Sequence, residues 1–218
     1  WGELFLEKYQ RAEAAQSFQA ALKLDESYLP ARIGLARALA EGNPPAARGE
    51  LDEVFKSSPN SVPAHLLAAE LALDDRRRGD ARASVQKALD VNPNNLEARA
   101  IDAAMDLLDG RSAEFEAKAT EIVKVNPLYA DAYRIAGEHL GRNYRFDEAV
   151  VLTRRALAVD PQQTRAHADL GMHLLRTGDE REARRALETA FRADPYDVVT
   201  YNLLQMLDTL DRFDTVKT

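Results

Sequence analysis

Small and apolar residues recur along the chain in a register of 34 residues, and proline marks its phase. Pro59, Pro93, Pro127, Pro161 and Pro195 stand at that interval four times running. Twelve residues before them lie Ala47, Ala81, Phe115, Ala149 and Ala183; eight before, Leu51, Val85, Ala119, Thr153 and Leu187; five before, Val54, Ala88, Ile122, Ala156 and Ala190. Steps of four and three place these positions on one stripe of a helix. Each proline follows a short polar residue, Ser58, Asn92, Asn126, Asp160 or Asp194. Proline cannot continue a helix and pushes the residue before it out of the α region, so each dipeptide ends a helix.

A second apolar-periodic segment precedes each of these helices. Ala132, Tyr133, Ala136, Gly137 and Leu140 form one, and Ala166, His167, Leu170, Gly171 and Leu174 another. Polar or glycine-bearing breaks separate the two: Gly42-Asn43, the run from Asp74 to Asp80, Asp109-Gly110, Arg142-Asn143 and Thr177-Gly178-Asp179. Two helices per repeat follow. Position 24 before Pro93, Pro127, Pro161 and Pro195 holds a small residue each time, Ala69, Ala103, Gly137 and Gly171, as a close approach between partner helices requires. In one repeat Phe115 is followed by Ala119, the reverse of the usual small-then-larger order, and the exchange conserves packing volume.

Composition narrows the function. Charged residues make up 30% and hydrophobic ones 45%, too apolar for a disordered chain. Lys and Arg number 29 against 36 Asp and Glu, and the net charge of −7 opposes binding to nucleic acid or to an anionic membrane. No run reaches the ~18 apolar residues of a membrane span. With no cysteine there is no disulfide or thiolate chemistry, and cytoplasm and periplasm suit the chain equally. The sequence starts at Trp1 inside an apolar-periodic segment and reads as a fragment of a longer chain. His65, His139, His167 and His173 have no metal-ligand spacing, no serine sits in a Gly-x-Ser-x-Gly elbow, and the glycines are scattered. Catalysis, metals and cofactors are therefore not expected. Arg76-Arg77-Arg78 is flanked by Asp74, Asp75 and Asp80 and reads as a solvated turn.

These repeats resemble the tetratricopeptide repeat, whose Leu-Gly, aromatic-or-leucine, Ala-x3-aromatic and closing proline are matched by Leu170-Gly171-x2-Leu174, Ala183-x3-Leu187, Ala190 and Pro195. Tyr133, Ala136-Gly137-x2-Leu140, Ala149, Ala156 and Pro161 match again. Gly2, Phe5, Ala14, Phe18, Ala21 and Leu22 fit a first repeat closed by Asp25-Glu26. The resemblance implies an all-α, right-handed α-solenoid of about six two-helix repeats, 1–26, 27–59, 60–93, 94–127, 128–161 and 162–195, with a partial repeat at 196–210. The second is one residue short, and its Pro44-Pro45 sits in a first helical turn; the fourth carries Asp102 and Asp106 where apolar residues are usual, so its first helix is expected to rotate or to turn a charged face outward.

By the same resemblance the array is a non-catalytic scaffold, and first helices line a concave groove that binds a protein or peptide. Positions similar to groove-facing ones are Glu70 and Asp74, Ala104, then Arg134, Glu138 and Arg142, then Arg165, Asp169, Met172 and Arg176. Guanidiniums suit acidic segments and Met172 offers adaptable apolar contact; the alternative is a solvated face whose arginines pair with Glu138 and Asp169. Cochaperones of this family that grip a C-terminal carboxylate use Lys and Asn on successive first helices, and this groove has no such asparagine before Asn202. Residues 211–218 are similar to the junction at which large bacterial tetratricopeptide proteins continue into a zinc-peptidase-like domain, so an accessory arm of a larger enzyme is the second reading.

Overall fold

The computed structural model describes residues 1–210, and the expected junction at 211–218 lies outside the described residues. Among the described residues there are thirteen helices and no strand: α1 (Gly2–Glu7), α2 (Arg11–Leu24), α3 (Leu29–Leu39), α4 (Pro44–Ser57), α5 (Val62–Asp74), α6 (Arg78–Val91), α7 (Leu96–Leu108), α8 (Ser112–Val125), α9 (Asp131–Arg142), α10 (Phe146–Val159), α11 (Thr164–Thr177), α12 (Glu180–Ala193) and α13 (Val198–Leu210). The chain divides into two compact units, Trp1–Met105 and Asp106–Thr218, with the division inside α7. In the first, α1 pairs with α2, α3 with α4 and α5 with α6; in the second, α9 pairs with α10 and α11 with α12.

Turn chemistry explains where the helices stop. The residues that close α2, α4, α6, α8, α10 and α12 all leave the helical region, with φ between −146 and −132, and in all but α2 a following proline demands it. Where that residue is Asp or Asn, its side-chain oxygen accepts from the backbone N–H two residues on. Asn92 takes Asn94, Asn126 takes Leu128, Asp160 takes Gln162 and Asp194 takes Tyr196, at 2.9–3.1 Å. Asp25 does the same with Ser27 at 2.9 Å without any proline. These Asx-turns are the reason for a short polar residue at this position.

The turn inside each pair obeys another rule. Tyr9, Arg76, Gly110, Tyr144 and Gly178 have φ between +56 and +85, and the last four stand 34 residues apart. The next N–H reaches back five residues in every case, Gln10 to Phe5, Arg77 to Ala72, Arg111 to Asp106, Arg145 to Leu140 and Asp179 to Leu174. This left-handed closure satisfies carbonyls that the helix end leaves open. The short second repeat turns differently: the Asn43 side chain caps α4 at Ala46 N–H, and Pro44 and Pro45 fill its first turn.

All fifteen positions of the second-helix stripe are buried, none more than 2% exposed, and so are the four small residues 24 before the proline. Packing explains the small residues. In the first unit the Phe18 ring of α2 lies where a Cβ on Gly2 or Gly34 would come within 2.6 and 2.3 Å of it. In the second, a Cβ on Gly171 would meet Leu187 at 2.5 Å and one on Gly137 would meet the Thr153 hydroxyl at 2.9 Å. Thr153 itself is satisfied, donating to the Ala149 carbonyl at 2.8 Å. Phe115 and Ala119, with their exchanged volumes, are both buried; Phe115 meets the Tyr133 ring of α9 edge-on at 6.1 Å. Arg155 of α10 lies over the Tyr133 ring, 4.2 Å from its centroid, and grips Glu116 with two bonds of 2.5 and 2.6 Å.

The aspartates of α7 correct one expectation. Asp106 is 3% exposed and does not turn outward. Arg111 and Lys118 reach its two oxygens at 2.5 and 2.6 Å, and these cations outweigh burial and hold the carboxyl below its usual pKa. In the first unit Asp102 accepts from Arg82 at 3.2 Å. Charge enters a first helix here because cations placed on neighbouring helical segments compensate it.

Gly171→Ala should lower stability by about 1–3 kcal/mol, because Leu187 must leave its rotamer or the helices must part. Gly49, inside α4 with open space around it, should behave oppositely, and Gly49→Ala should gain up to about 1 kcal/mol of helix propensity. Urea unfolding midpoints of the two variants should move in opposite directions.

Candidate protein-docking surface

Helices α9 and α11 open consecutive pairs of the second unit and touch each other. The inner side of α11 is Ala166, Leu170, Gly171, His173 and Leu174, all buried. Val150 of α10 and Ala183 and Ala186 of α12 share a cluster with Leu170 and Leu174. On the opposite side Arg165, Asp169, Met172 and Arg176 follow one another at steps of four, three and four along one stripe. Arg165, Met172 and Arg176 are exposed and Asp169 is half-buried.

Arg134 of α9 is 8% exposed. Its Nε donates to Asp131 at 2.5 Å, and its Nη1 donates both to Glu138 at 2.9 Å and, across to α11, to Asp169 at 3.2 Å. Glu138 also accepts from Arg142 at 2.6 Å, and Asp131 from the Gln163 amide at 2.9 Å. Burial alone would favour an uncharged guanidine, but the charges of Asp169, Asp131 and Glu138 outweigh it and raise the Arg134 pKa further. For Glu138 burial is likewise outweighed, by Arg134 and then Arg142, and its pKa falls. Asp169 is the carboxylate least well served, since its single bond comes from a nitrogen shared with Glu138. Burial pushes it up to about 6, Arg134 offsets only part of this, and Glu138 adds to it.

The sequence-derived positions thus fall into separate groups. Arg134, Glu138, Arg142 and Asp169 come together in one network, and Arg165, Met172 and Arg176 stand on the exposed stripe beside it. Ala104 is 0% exposed and presents nothing to a partner, because α7 buries it in the helix packing. Glu70 and Asp74 belong to α5 in the first unit, half-buried and exposed respectively. Sequence reasoning passed over Asp131 and Gln163. Asp131 was recoverable from its i,i+3 spacing to Arg134; Gln163 joins only because α11 lies beside α9.

The histidines serve the packing. His65 stacks on Phe55 at 4.7 Å, and its Nε2 donates to the Pro59 carbonyl at 2.8 Å; His167 Nε2 donates to the Pro161 carbonyl at 2.9 Å. A carbonyl can only accept, so Nε2 carries the proton in both. His173, 5% exposed, lies against Gly141, where a Cβ would come within 2.5 Å of its ring; burial lowers its pKa and keeps it neutral, with Glu138 opposing. Among the described residues no three His, Asp or Glu side chains gather as a metal ion would need, and no helix is long and apolar enough to cross a membrane.

An open groove of about 440 Å3 occupies the first unit. Its floor is Leu51, Phe55, Leu71 and Ala72, and its rim carries Arg48, Asp52, Arg77 and Asp80. Asp75 accepts from Arg48 at 2.8 Å and from Arg77 at 3.2 Å, and Asp80 takes Arg77 at 2.7 Å, so the rim cations are occupied within the unit.

Sequence profiles of the tetratricopeptide repeat match residues 37–95 and 142–207, together more than half of the chain. No curated protein matches it by sequence. Among solved structures, the fold is similar to TTC0263, a thermophilic tetratricopeptide protein of Thermus thermophilus. That likeness covers 80% of this chain and 95% of the other, with 19% identity and a TM-score of 0.62. It is also similar to a chain in the APC/C hetero-tetramer Cut9-Hcn1, over 94% of this chain and 41% of that one, with 14% identity and a TM-score of 0.60. At these identities the likeness speaks for the fold alone. Helices in consecutive pairs, turns repeating every 34 residues and two matching repeat profiles lead to one conclusion: the chain belongs to the tetratricopeptide repeat family.

Proposed function

We propose that this chain is a protein-interaction scaffold that holds an extended, acidic segment of another polypeptide along the α9 and α11 face of its second unit. Tetratricopeptide repeats are generally non-catalytic scaffolds, and their fold suggests protein–protein interaction. A chain of similar fold stands in the Cut9-Hcn1 hetero-tetramer. The observation that carries the reading is the α11 stripe, where two exposed guanidiniums, Arg165 and Arg176, flank Met172 on the side of the helix that the stacking leaves uncovered. Guanidiniums offer forked donors to carboxylates, and an exposed thioether adapts to varied apolar side chains.

Arg134 has a different role in this reading. Its donors are engaged by three carboxylates and it is nearly buried, so it holds α9 to α11 and sets the field beneath the stripe. The pairing of arginines with Glu138 and Asp169 therefore describes Arg134 and Arg142, and the ligand contacts fall to Arg165, Met172 and Arg176.

Fluorescence anisotropy with capped peptides that alternate Asp or Lys with Leu tests this. The Asp peptide should bind saturably and the Lys peptide far more weakly. Arg165→Glu with Arg176→Glu should weaken the Asp peptide at least about tenfold while the thermal midpoint stays put. Equal affinity of the double variant, or no saturable binding by the parent protein, refutes the proposal. Arg134→Met should instead destabilise the fold by about 3–5 kcal/mol in urea, because it strands buried carboxylates without a cation.

A further inference from the structure

The stripe on α11 is not uniformly cationic. Asp169 sits between Arg165 and Arg176, one turn from Met172. Three carboxylates, Asp131, Glu138 and Asp169, crowd the one buried guanidinium, and the allocation of its bonds is unequal. Asp131 has Arg134 Nε and the Gln163 amide, Glu138 has Arg134 and Arg142, and Asp169 has only the longest bond, 3.2 Å from the shared nitrogen. Asp169 is therefore the group that takes up a proton most readily.

We propose that Asp169 is a proton-operated charge switch in the docking surface: ionised, it interrupts the cationic stripe between Arg165 and Arg176; protonated, it leaves the stripe continuous and holds an acidic peptide more tightly. The inference rests on the docking surface proposed above and concerns its regulation. The charged groups acting on Asp169 are Arg134 and Glu138 from α9 and Arg165 from its own helix. From α10 and α12, Val150, Ala183 and Ala186 pack with Leu170 and Leu174 of α11 in an apolar cluster. His173, one turn further on, is buried, and burial lowers its pKa, with Glu138 opposing. The chemistry is a single proton transfer from solvent to a carboxylate oxygen.

The direction follows from linkage. The native carboxyl holds its proton up to about 6 against an ordinary 3.8, so between these values the folded state binds more protons than the unfolded one, and stability falls as pH rises. Acidification therefore relieves excess buried negative charge and leaves α9 and α11 together. Binding and protonation must also be reciprocal: an acidic peptide that prefers the neutral carboxyl raises its pKa.

The probe is the capped Asp-Leu peptide with a rhodamine label, whose own carboxyls remain largely ionised above pH 5. Between pH 7.5 and pH 5.0 the parent protein should gain about three- to tenfold in affinity, the size expected for removing one partly screened charge near the ligand. Asp169→Asn, which keeps an acceptor for Arg134, should bind with the tighter affinity at both values. Parallel pH profiles for parent and variant overturn the switch alone; absence of binding at both pH values overturns the docking surface and the switch with it. Carbon-13 NMR of the Asp169 carboxyl in the parent protein provides a second reading independent of any variant. A midpoint near 6 that moves up with peptide is expected, and an ordinary aspartate midpoint, unmoved by peptide, refutes the switch.

Discussion

The architecture depends on how closely two helices of a pair can approach. A second helix drives one side chain, Phe18, Thr153 or Leu187, into a place on its partner first helix that is empty only because Gly2, Gly137 or Gly171 has no Cβ, and the Phe18 ring likewise fills the space left by Gly34 on the first helix of the next pair. A fully buried leucine or phenylalanine contributes about 1.5–3 kcal/mol, and a missing or misplaced partner forfeits it. Because the contact recurs in the α1/α2, α9/α10 and α11/α12 pairs, the spacing of small and large residues in the sequence is there a record of the helix–helix distance. Where the knob is small, as at Ala119, another residue of the same helix supplies the bulk, and Phe115 reaches Tyr133 of the next pair.

Turns act in the same direction as the packing. An extended residue with an Asx oxygen ends the second helix and a left-handed residue ends the first, both in the 34-residue register. Local chemistry and tertiary stacking thus agree on the same boundaries, a consistency that favours one native arrangement over its competitors. Tyr9, Arg76 and Tyr144 occupy the left-handed position without glycine's freedom, at a cost of about 1–2 kcal/mol each. The five-residue return hydrogen bond and the packing of the flanking helices sustain them there.

Ion pairs contribute character more than stability. Exposed pairs such as Lys56–Glu53 or Arg145–Glu148 are screened by solvent and contribute less than a single buried knob. Arg134 differs because it is nearly buried: its pairs determine which charges remain for a ligand. Three carboxylates share it, so the surface over α9 and α11 has cations at its exposed positions and a poorly compensated carboxylate just beneath. A chain with a net charge of −7 thus carries exposed cations together on one local face.

Periodicity specified the helix pairs and their stripe of buried positions, because a 34-residue register of proline, alanine and glycine leaves few other ways to hide its apolar side; the family came from the resemblance of the motifs within that register to the tetratricopeptide repeat. The resemblance also singled out Arg134, Glu138 and Arg142, one turn apart on α9, most of the network that the structure assembles there. What the sequence could not show was which charged residues the stacking would bury. Arg134 and Asp106 look like surface residues in a polar context, and Ala104 like a groove lining; the packed helices place all three inside. Burial of a charge depends on partners far away in sequence, Asp169 for Arg134 at 35 residues' separation, and only the stacking of one pair on the next brings them within 3.2 Å.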